Sequence, residues 1–218
     1  MMSDFIYRPI DINQYFDKIF YINLKKDADR NEKILSQFQH FGIVNFERIE
    51  GISYNHIDQI PNAEMQYRNF IKKNDKYVIN QLGCRASHLM AIQIAKSRGY
   101  NKVLILEDDI TFLNNPNEIL TMNHNILNDW DMLYFGGMPE PYFRNQIVLA
   151  HAYCVSSKLF DDIICMGNVS GMEIDNFYAK IIQQMSYNHN QSGKYNIRIV
   201  QPFNTIIQNK SFKSNIQD

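Results

Sequence analysis

The stretch "KVLILEDDI", residues 102 to 110, is an apolar run that ends in three consecutive carboxylates, Glu107, Asp108 and Asp109. Such a run, rich in branched side chains, predicts a buried β-strand. In an open parallel sheet, ligands bind just beyond the carboxyl ends of the strands, so these carboxylates are expected where a substrate would bind. Adjacent ionised carboxylates repel one another, and this repulsion raises their pKa values. A bound divalent cation removes the repulsion. The stretch therefore predicts an oxygen-lined site for Mn²⁺ or Mg²⁺ that also receives a phosphorylated substrate.

A simpler interpretation of the three carboxylates is that a strand ends where the chain re-enters water. A second polar group near the same place is needed to favour the metal site. The segment "GCRASH", residues 83 to 88, precedes the strand on a predicted helix, and helical spacing puts Cys84, Ser87 and His88 on one side of it. The alternative for this segment is a packed cysteine beside a solvated serine and histidine.

The segment "FYINLKKDADR", residues 20 to 30, contains two further candidates for the same site. Asn23 ends the first predicted strand, and Arg30 follows just beyond it, where a guanidinium could meet a diphosphate. The alternative is an arginine on a solvated helix face. The three segments together favour a site for a phosphorylated ligand.

The composition limits the class of protein. The chain has 218 residues, of which 45% are hydrophobic and 13% aromatic, which suits one globular domain. A formal net charge of −1 from interspersed residues argues against a nucleic-acid partner. The three cysteines fit neither a zinc motif nor a disulfide framework, so reduced thiols are expected. With no signal peptide or membrane-spanning run in the sequence, we expect a cytoplasmic protein.

Strand and helix patterns alternate along the chain, which predicts an α/β fold with a mainly parallel central sheet flanked by helices. We predict one domain over residues 1–218, with an N-terminal extension to about residue 17 and a polar C-terminal tail from about residue 204. Asp29 and Glu32 predict a capping box at the first helix, and residues 53–80 predict a loop-rich excursion. Strands are predicted at 18–24, 45–52, 102–108, 131–137, 147–156 and 196–202, and helices at 29–40, 82–99, 116–127, 158–166 and 173–185.

Five groups of segments, in this order, resemble glycosyltransferase family 25, which includes bacterial lipooligosaccharide galactosyltransferases and animal procollagen galactosyltransferases. The likeness covers roughly residues 18 to 217, nearly the whole chain. The segments are "FYINLKKDADR" with "FERIEGI", "LGCRASHLMAI" with "KVLILEDDI", "WDMLYFGG", "AHAYCVSSKLFDDII", and "EIDNFYAK" with "QPFNTIIQNKSFKSNIQD".

This resemblance implies a GT-A fold, a nucleotide-sugar donor and a metal motif of the D-x-D type. Asp109 then takes the metal role with Asp108 beside it, and Glu107 lies near the donor. Two features depart from the family: Asn215 stands where a carboxylate is common, and no histidine follows His189. The donor-binding positions that we assign are Asn23, Arg30, Gly83, Cys84, Ser87, His88, Glu107, Asp108, Gln208, Lys210 and Ser214.

The function implied is transfer of galactose or glucose from a UDP-sugar to a glycan or a hydroxylated side chain, with Mn²⁺ or Mg²⁺ and an inverting mechanism that forms a β-linkage. An inverting transfer needs a base for the acceptor's proton, and Asp175 is the candidate, with Glu173 as the second choice. Both are equally well explained as carboxylates at a helix N-terminus. Alternative functions are a degenerate transferase acting as a glycan-binding or scaffold module, or a metal-dependent phosphohydrolase. The sequence predicts no oligomeric state.

Overall fold

The computed structural model describes residues 8–53, 76–139, 146–170, 172–186 and 194–209. Within them, six strands form one sheet in the order β2-β1-β3-β8-β5-β9, and β4–β10 and β6–β7 form two small antiparallel pairs. The strands are β1 (Lys18–Asn23), β2 (Phe46–Glu50), β3 (Lys102–Glu107), β4 (Ile110–Phe112), β5 (Met132–Tyr134), β6 (Met138–Pro139), β7 (Ile147–Val148), β8 (Ala152–Ser156), β9 (Ile197–Ile199) and β10 (Ile206–Gln208).

The predicted α/β architecture with a mainly parallel sheet is confirmed. Strand β1 is parallel to β2 and β3, and β9 is parallel to β5, whereas β8 is antiparallel to both of its neighbours. Because β8 runs the other way, the residue that precedes it, His151, lies at the same edge as the carboxyl ends of β1 and β3. The register places Ile22 opposite Glu107.

Helices cover both faces of the sheet. One face packs against α3, α5 and the segments that follow α5, and the other packs against α1, α2 and α4. Alternate residues of β3 supply the two cores, with Ile105 on the first face and Leu104 on the second. The helices are α1 (Ile12–Tyr15), α2 (Ala28–His40), α3 (Lys76–Ser97), α4 (Pro116–Met122), α5 (Ser157–Val169), α6 (Ile174–Phe177) and α7 (Gln184–Ser186), and a π-helical segment (Tyr178–Gln183) joins the last two.

Two predictions about helix ends were wrong. Helix α2 is preceded by Asp27 as its N-cap, so Asp29 lies within the first turn and the predicted capping box does not form. Helix α3 begins at Lys76, so the last part of the predicted excursion is helical. Residues 54–75 of that excursion lie outside the described part of the chain.

Both terminal segments contain residues of the core. The tail predicted to be polar from about residue 204 contains Ile206, which is 1% exposed and belongs to the core of the second face. Strand β10 pairs with β4, directly after the acidic residues. At the other end, Ile12 and Phe16 are buried, so the predicted N-terminal extension includes core residues.

Two predicted elements contain irregular backbone near the acidic residues. The strand predicted over 147–156 is broken into β7 and β8, and Leu149 between them has a φ of 75°. The helix predicted over 173–185 contains the π-helical segment. Positive φ in a branched residue and π-helical turns are both strained, and they concentrate at functional sites.

Candidate functional site

The three carboxylates at the end of β3 turn toward three different parts of the molecule. Glu107 faces α3, Asp108 faces the end of β1 and the start of α2, and Asp109 faces β10. Because β1 and β3 are parallel neighbours, their carboxyl ends meet at one edge, as the sequence predicted. The acidic stretch therefore connects three segments that are far apart in the sequence: β1 with α2, α3, and β10.

Asp108 has a hydrogen-bond partner at each oxygen. Asn23 Nδ2 donates to Oδ2 over 2.7 Å, and Arg30 Nη1 donates to Oδ1 over 3.2 Å. All three side chains are buried. Asn23 and Arg30 thus lie at the acidic cluster, and Arg30 is an inward-facing cation rather than a solvated one.

Asp109 has one carboxylate oxygen with partners and one without. Gln208 Nε2 donates to Oδ2 over 3.2 Å, and Arg30 Nη1 lies 3.8 Å from that oxygen. Oδ1 is buried and has no hydrogen-bond partner among the described residues, and the same holds for Asn23 Oδ1. Buried acceptors without a donor are costly, and a cation or a ligand donor satisfies them. Of these two atoms, the carboxylate oxygen Asp109 Oδ1 is the one that suits the predicted divalent cation.

Glu107 belongs to a chain of polar groups that leads from the cavity side into the buried interior. His88 Nε2 lies 3.2 Å from Glu107 Oε1, and Cys84 Sγ lies 3.9 Å from the same oxygen. On the other side of the ring, His88 Nδ1 lies 2.8 Å from the hydroxyl of Tyr153, which is 2.9 Å from that of Tyr178. Cys84 and His88, assigned to the donor site from the sequence, therefore contact the acidic cluster through Glu107.

Burial and mutual repulsion raise the pKa of all three carboxyl groups. The pKa rises to about 7 for Glu107, through burial and the charge of Asp108, and to about 7 for Asp109, through burial and the charge of Glu107. Burial raises the pKa of Asp108 to about 6, although its bonds to Asn23 and Arg30 work in the opposite direction. One guanidinium does not compensate for two buried carboxylates and the partly buried Glu107, so the site favours an additional positive charge.

A cavity of about 270 Å³ opens beside Glu107. Asp175 lies in its wall, and the Ala150 N–H donates to Asp175 Oδ1 over 2.7 Å. Burial and the charge of Glu107 raise the pKa of Asp175 to about 6. Glu173 also lines the cavity and accepts a hydrogen bond from Asn176. Its other lining residues are Tyr77, Gln81, Cys84, Leu149, Ala150, His151, Ile174 and Gln208.

Gly83 and Ser87 hold α3 close to the chain that follows β2. A Cβ atom on Gly83 would lie 2.3 Å from the carbonyl oxygen of Ile52, so only glycine permits this approach. Ser87 Oγ accepts from the Ile52 N–H over 2.8 Å and donates to the Gly83 carbonyl over 2.7 Å. These bonds hold the chain after β2 against α3. Lys210, Ser214 and Asn215 lie outside the described residues.

Sequence reasoning missed His151, which lines the cavity. Its Nε2 lies 3.1 Å from the Ile206 carbonyl oxygen, and since a carbonyl only accepts, Nε2 carries the proton. Burial lowers the pKa of His151, which keeps the ring neutral and leaves Nδ1 as an acceptor. Nδ1 is buried and has no partner among the described residues. The antiparallel register of β8 could have revealed this residue, but the strand order is not readable from the sequence.

The described residues include no helix that is both long and apolar enough to cross a membrane.

Comparisons with known proteins place the chain in a family. The sequence model of the protein family described as glycosyltransferase family 25 (LPS biosynthesis protein) matches residues 16–165. A glycosyltransferase 25 family member of Drosophila melanogaster is 31% identical over 150 residues, which are 62% of this chain and 24% of that protein. Procollagen galactosyltransferase 1-B of Xenopus laevis is 26% identical over 156 residues, 63% of this chain and 25% of that protein. The chain thus spans about a quarter of the length of these relatives.

Among solved structures, a glycosyltransferase involved in the glycosylation of the major capsid of PBCV-1 is similar over 84% of this chain and 80% of that one. The TM-score is 0.40 and the sequence identity is 11%.

The matched range covers more than half of the chain and includes Asn23, Arg30, Cys84 and the three carboxylates, but it stops before Asp175. The resemblance predicted from the sequence is therefore confirmed, and the chain belongs to glycosyltransferase family 25.

Proposed function

We propose that this chain is a glycosyltransferase that uses a divalent cation to move galactose or glucose from a UDP-sugar to a hydroxyl group, with inversion. Two neighbouring features carry the proposal. The first is Asp109 Oδ1, a buried oxygen without a hydrogen-bond partner among the described residues, and the second is the Asp175 carboxylate in the wall of the cavity. The first fits a cation and the second fits a base. Family membership supports the reaction class.

Asp109 is the better supported of the two predicted metal ligands. Its Oδ1 has no donor among the described residues, whereas both oxygens of Asp108 already accept hydrogen bonds from Asn23 and Arg30. Oxygen ligands of this kind suit Mn²⁺ or Mg²⁺. A cation held here would stabilise the negative charge on the departing diphosphate as a Lewis acid. Asp108 then contributes mainly by orienting Arg30.

Arg30 is the candidate for direct contact with the diphosphate. It is held against Asp108 and lies 3.8 Å from Asp109 Oδ2, so its charge is fixed beside the proposed metal position. A positioned guanidinium binds phosphate oxygens strongly and with defined geometry. Glu107 faces the cavity and is the candidate to contact the sugar nucleotide there.

Asp175 is the candidate base that removes the proton from the acceptor hydroxyl. The bond from the Ala150 N–H fixes one carboxylate oxygen, and the side chain lines the cavity. A pKa of about 6 makes the carboxylate the main form at neutral pH while keeping it a useful proton acceptor. Glu173 lines the same cavity but its Oε1 accepts from Asn176, so it remains the second choice.

The acceptor is a glycan or a hydroxylated side chain. The name of the Xenopus laevis relative motivates the second class, because procollagen galactosyltransferase 1-B acts, by its name, on procollagen. Transfer to a peptide hydroxyl and transfer to a sugar hydroxyl both need the same base and the same leaving-group stabilisation.

The test is mass spectrometry of the protein incubated with a panel of UDP-sugars, with Mn²⁺ or with EDTA, and with either an oligosaccharide or a hydroxylated peptide. We expect a hexose added to one acceptor, only with Mn²⁺, and only from UDP-galactose or UDP-glucose. Nucleotide breakdown without sugar transfer would instead identify a phosphohydrolase, and binding without turnover a glycan-binding or scaffold module.

A matched pair of variants makes the result specific. Asp109→Asn should lower the transfer rate at least about a hundredfold. Asp161→Asn should leave it unchanged, because Asp161 is an exposed carboxylate on α5 that pairs only with the exposed Lys96 among the described residues. Loss of transfer in both would mean that the assay reports general instability rather than the proposed site.

A further inference from the structure

Cys84, His88 and Glu107 form a cluster whose chemistry differs from that of an all-oxygen metal site. The thiol sulfur of Cys84, Nε2 of His88 and one carboxylate oxygen of Glu107 all lie within 4.8 Å of one another. Sulfur and imidazole nitrogen are ligands that Zn²⁺ and Co²⁺ favour and that Mn²⁺ and Mg²⁺ do not. We propose that this cluster is a second cation site, selective for a thiophilic divalent cation such as Zn²⁺, and that it shares Glu107 with the donor cavity.

Two of the three ligand separations are close to those of a tetrahedral zinc site. With zinc–ligand bonds of about 2.0–2.3 Å, tetrahedral geometry puts nitrogen and oxygen ligands about 3.3 Å apart, and sulfur and oxygen ligands about 3.6 Å apart. The observed separations are 3.2 Å for His88 Nε2 to Glu107 Oε1 and 3.9 Å for Cys84 Sγ to the same oxygen. Three protein ligands leave the fourth position for water, as in zinc sites that stay open.

The hydrogen bonds behind His88 allow its Nε2 to become a ligand. A ligating Nε2 must lose its proton, so Nδ1 must carry the proton and donate it to a neighbour. The hydroxyl of Tyr153 lies 2.8 Å from Nδ1 and can accept, because it can donate in turn to the hydroxyl of Tyr178 at 2.9 Å. Either tyrosine oxygen can be the donor, so the whole chain can reverse its direction when a cation arrives.

Access and charge agree with this assignment. Cys84 and Glu107 both line the cavity, so an ion reaches them from solvent without unfolding of the sheet, and His88 closes the site from the buried side. Burial and the neighbouring carboxylates raise the pKa of the Cys84 thiol, but a bound cation reverses that effect and holds the thiolate. On binding, the cation gains a sulfur bond and the thiol proton leaves to solvent.

A consequence follows for transfer, and only this consequence rests on the proposed function. Glu107 would serve both the thiophilic cation and the sugar nucleotide, so Zn²⁺ at this site should inhibit transfer even when Mn²⁺ is saturating. Removal of Zn²⁺ by a chelator that leaves Mn²⁺ in place should restore the rate.

The direct test is a titration of the intact chain with Co²⁺, without nucleotide, followed by the thiolate-to-cobalt charge-transfer absorption in the near ultraviolet. We expect a saturable signal from one ion per chain, which Zn²⁺ displaces and an equal concentration of Mg²⁺ does not. The absence of a saturable signal would overturn the site. The titration uses neither donor nor acceptor. Absence of the cobalt signal therefore would not contradict the proposed transferase function, and absence of sugar transfer would not contradict the cation site.

Cysteine variants assign the ligand. Cys84→Ser should abolish the signal, whereas Cys165→Ser should keep it, since Cys165 is exposed on α5 and lies outside the cluster. If Cys84→Ser does not fold, retention of the signal in both Cys165→Ser and Cys154→Ala assigns it to Cys84, the one other cysteine in the sequence. Survival of the signal in folded Cys84→Ser, or its loss in Cys165→Ser, would refute the proposal.

A variant behind the histidine tests the reversal of the hydrogen-bond chain. Tyr153→Phe keeps all three ligands but leaves Nδ1 of His88 without its acceptor, so Co²⁺ affinity should fall about 10–100-fold while the charge-transfer signal persists at saturation. A general structural role for Tyr153 would change the melting temperature without this selective loss of affinity. Unchanged affinity would contradict the role of the chain.

Discussion

Gln208 Nε2 donates a hydrogen bond to Asp109 Oδ2 over 3.2 Å, which joins residues 99 positions apart. Strand β10, which contains Gln208, also pairs with β4 immediately after Asp109. The C-terminal segment therefore orients the carboxylate that we propose as the metal ligand, and it does so as part of a packed strand rather than as a loose cover.

The first prediction concerns the charge of Asp109. Asp109→Asn keeps the size of the side chain and removes its charge, so it should lower the transfer rate at least about a hundredfold, since Lewis-acid stabilisation is worth several kcal/mol. Stability should be unchanged or slightly higher, because one of three mutually repelling carboxylates is gone. Transfer rates across a Mn²⁺ titration, with melting temperatures, test this, and a parental rate with parental metal dependence would contradict it.

Asp108→Asn should behave differently, which makes it the matched comparison. Asp108 holds Arg30 at 3.2 Å, and removing one partner of a buried ion pair typically costs about 3–5 kcal/mol. Asp109 lies 3.8 Å from Arg30 and still balances part of its positive charge. We therefore expect the free energy of unfolding to fall by up to about 3 kcal/mol. Urea denaturation of both variants should therefore rank Asp108→Asn well below Asp109→Asn in stability.

The second prediction concerns the C-terminal segment. Truncation after Phe203 removes β10 and the buried Ile206, and loss of a large core side chain costs about 2–5 kcal/mol. We therefore expect this truncated chain to lose stability as well as transfer. Truncation after Asn209 keeps β10 and should retain a folded core while losing transfer, if Lys210 and Ser214 contact the diphosphate as the sequence predicts.

Melting temperatures of the two truncated chains separate these effects. Full transfer activity after truncation at Asn209 would mean that the last nine residues, 210–218, do not contribute to the site. An unchanged melting temperature after truncation at Phe203 would mean that β10 packs weakly, against the burial of Ile206.

The third prediction concerns pH. Glu107 and Asp109 have pKa values raised to about 7 and Asp175 to about 6, so the folded protein keeps protons that the unfolded chain has lost above about pH 4. Their contribution to stability is complete below about pH 4 and is lost as the pH rises through about 6–7. The melting temperature of the metal-free protein should therefore fall between pH 6.5 and pH 8, measured by calorimetry.

Histidine titration works in the opposite direction, but at lower pH. Burial lowers the pKa of His88 to about 4, so its contribution to stability grows as the pH rises from about 4 to 6.5 and is constant above that.

Mn²⁺ should raise the melting temperature more at pH 8 than at pH 5, because protons compete for the same carboxylates. An equal shift at both values would argue against a carboxylate site, and Asp109→Asn should abolish the shift.

The fourth prediction concerns the base. Asp175→Asn keeps the bond from the Ala150 N–H, because an amide oxygen also accepts, but it removes the proton acceptor and should lower kcat by about 10²–10⁴-fold. In the parent protein kcat should fall as the pH drops below about 6, where Asp175 becomes protonated. Glu173→Gln is the control and should have the smaller effect. The opposite ranking would make Glu173 the base.

Donor binding separates loss of chemistry from loss of the site. UDP with Mn²⁺ should still raise the melting temperature of Asp175→Asn, as any ligand selective for the folded state does. The same mixture should fail to stabilise Asp109→Asn. If another nucleotide stabilises the parent protein and UDP does not, the donor is not a UDP-sugar.

The sequence by itself determined the central strand, its acidic end and the elements beside it. The apolar run before Glu107 forms β3, the run at residues 18–24 forms its parallel neighbour β1, and the run at 45–52 forms β2 on the other side of β1. These strands were predictable because a short apolar run bounded by polar residues is a local pattern. Parallel pairing then brings Asn23 and Arg30 to the acidic cluster, since parallel strands share their carboxyl edge. Gly42 and Gly99, both at positive φ, follow α2 and α3, and glycine just after a helix is a signal that the sequence itself contains.

Only the tertiary structure decided where each carboxylate points and what it contacts. Glu107 meets His88, Asp108 meets Arg30 and Asp109 meets Gln208, and these three partners come from different parts of the chain. Strand order and the antiparallel direction of β8, which brings His151 to the site, depend on how all the elements bury their apolar faces together. That free energy comes from contacts between residues that are far apart in the chain, so no short stretch of sequence predicts it.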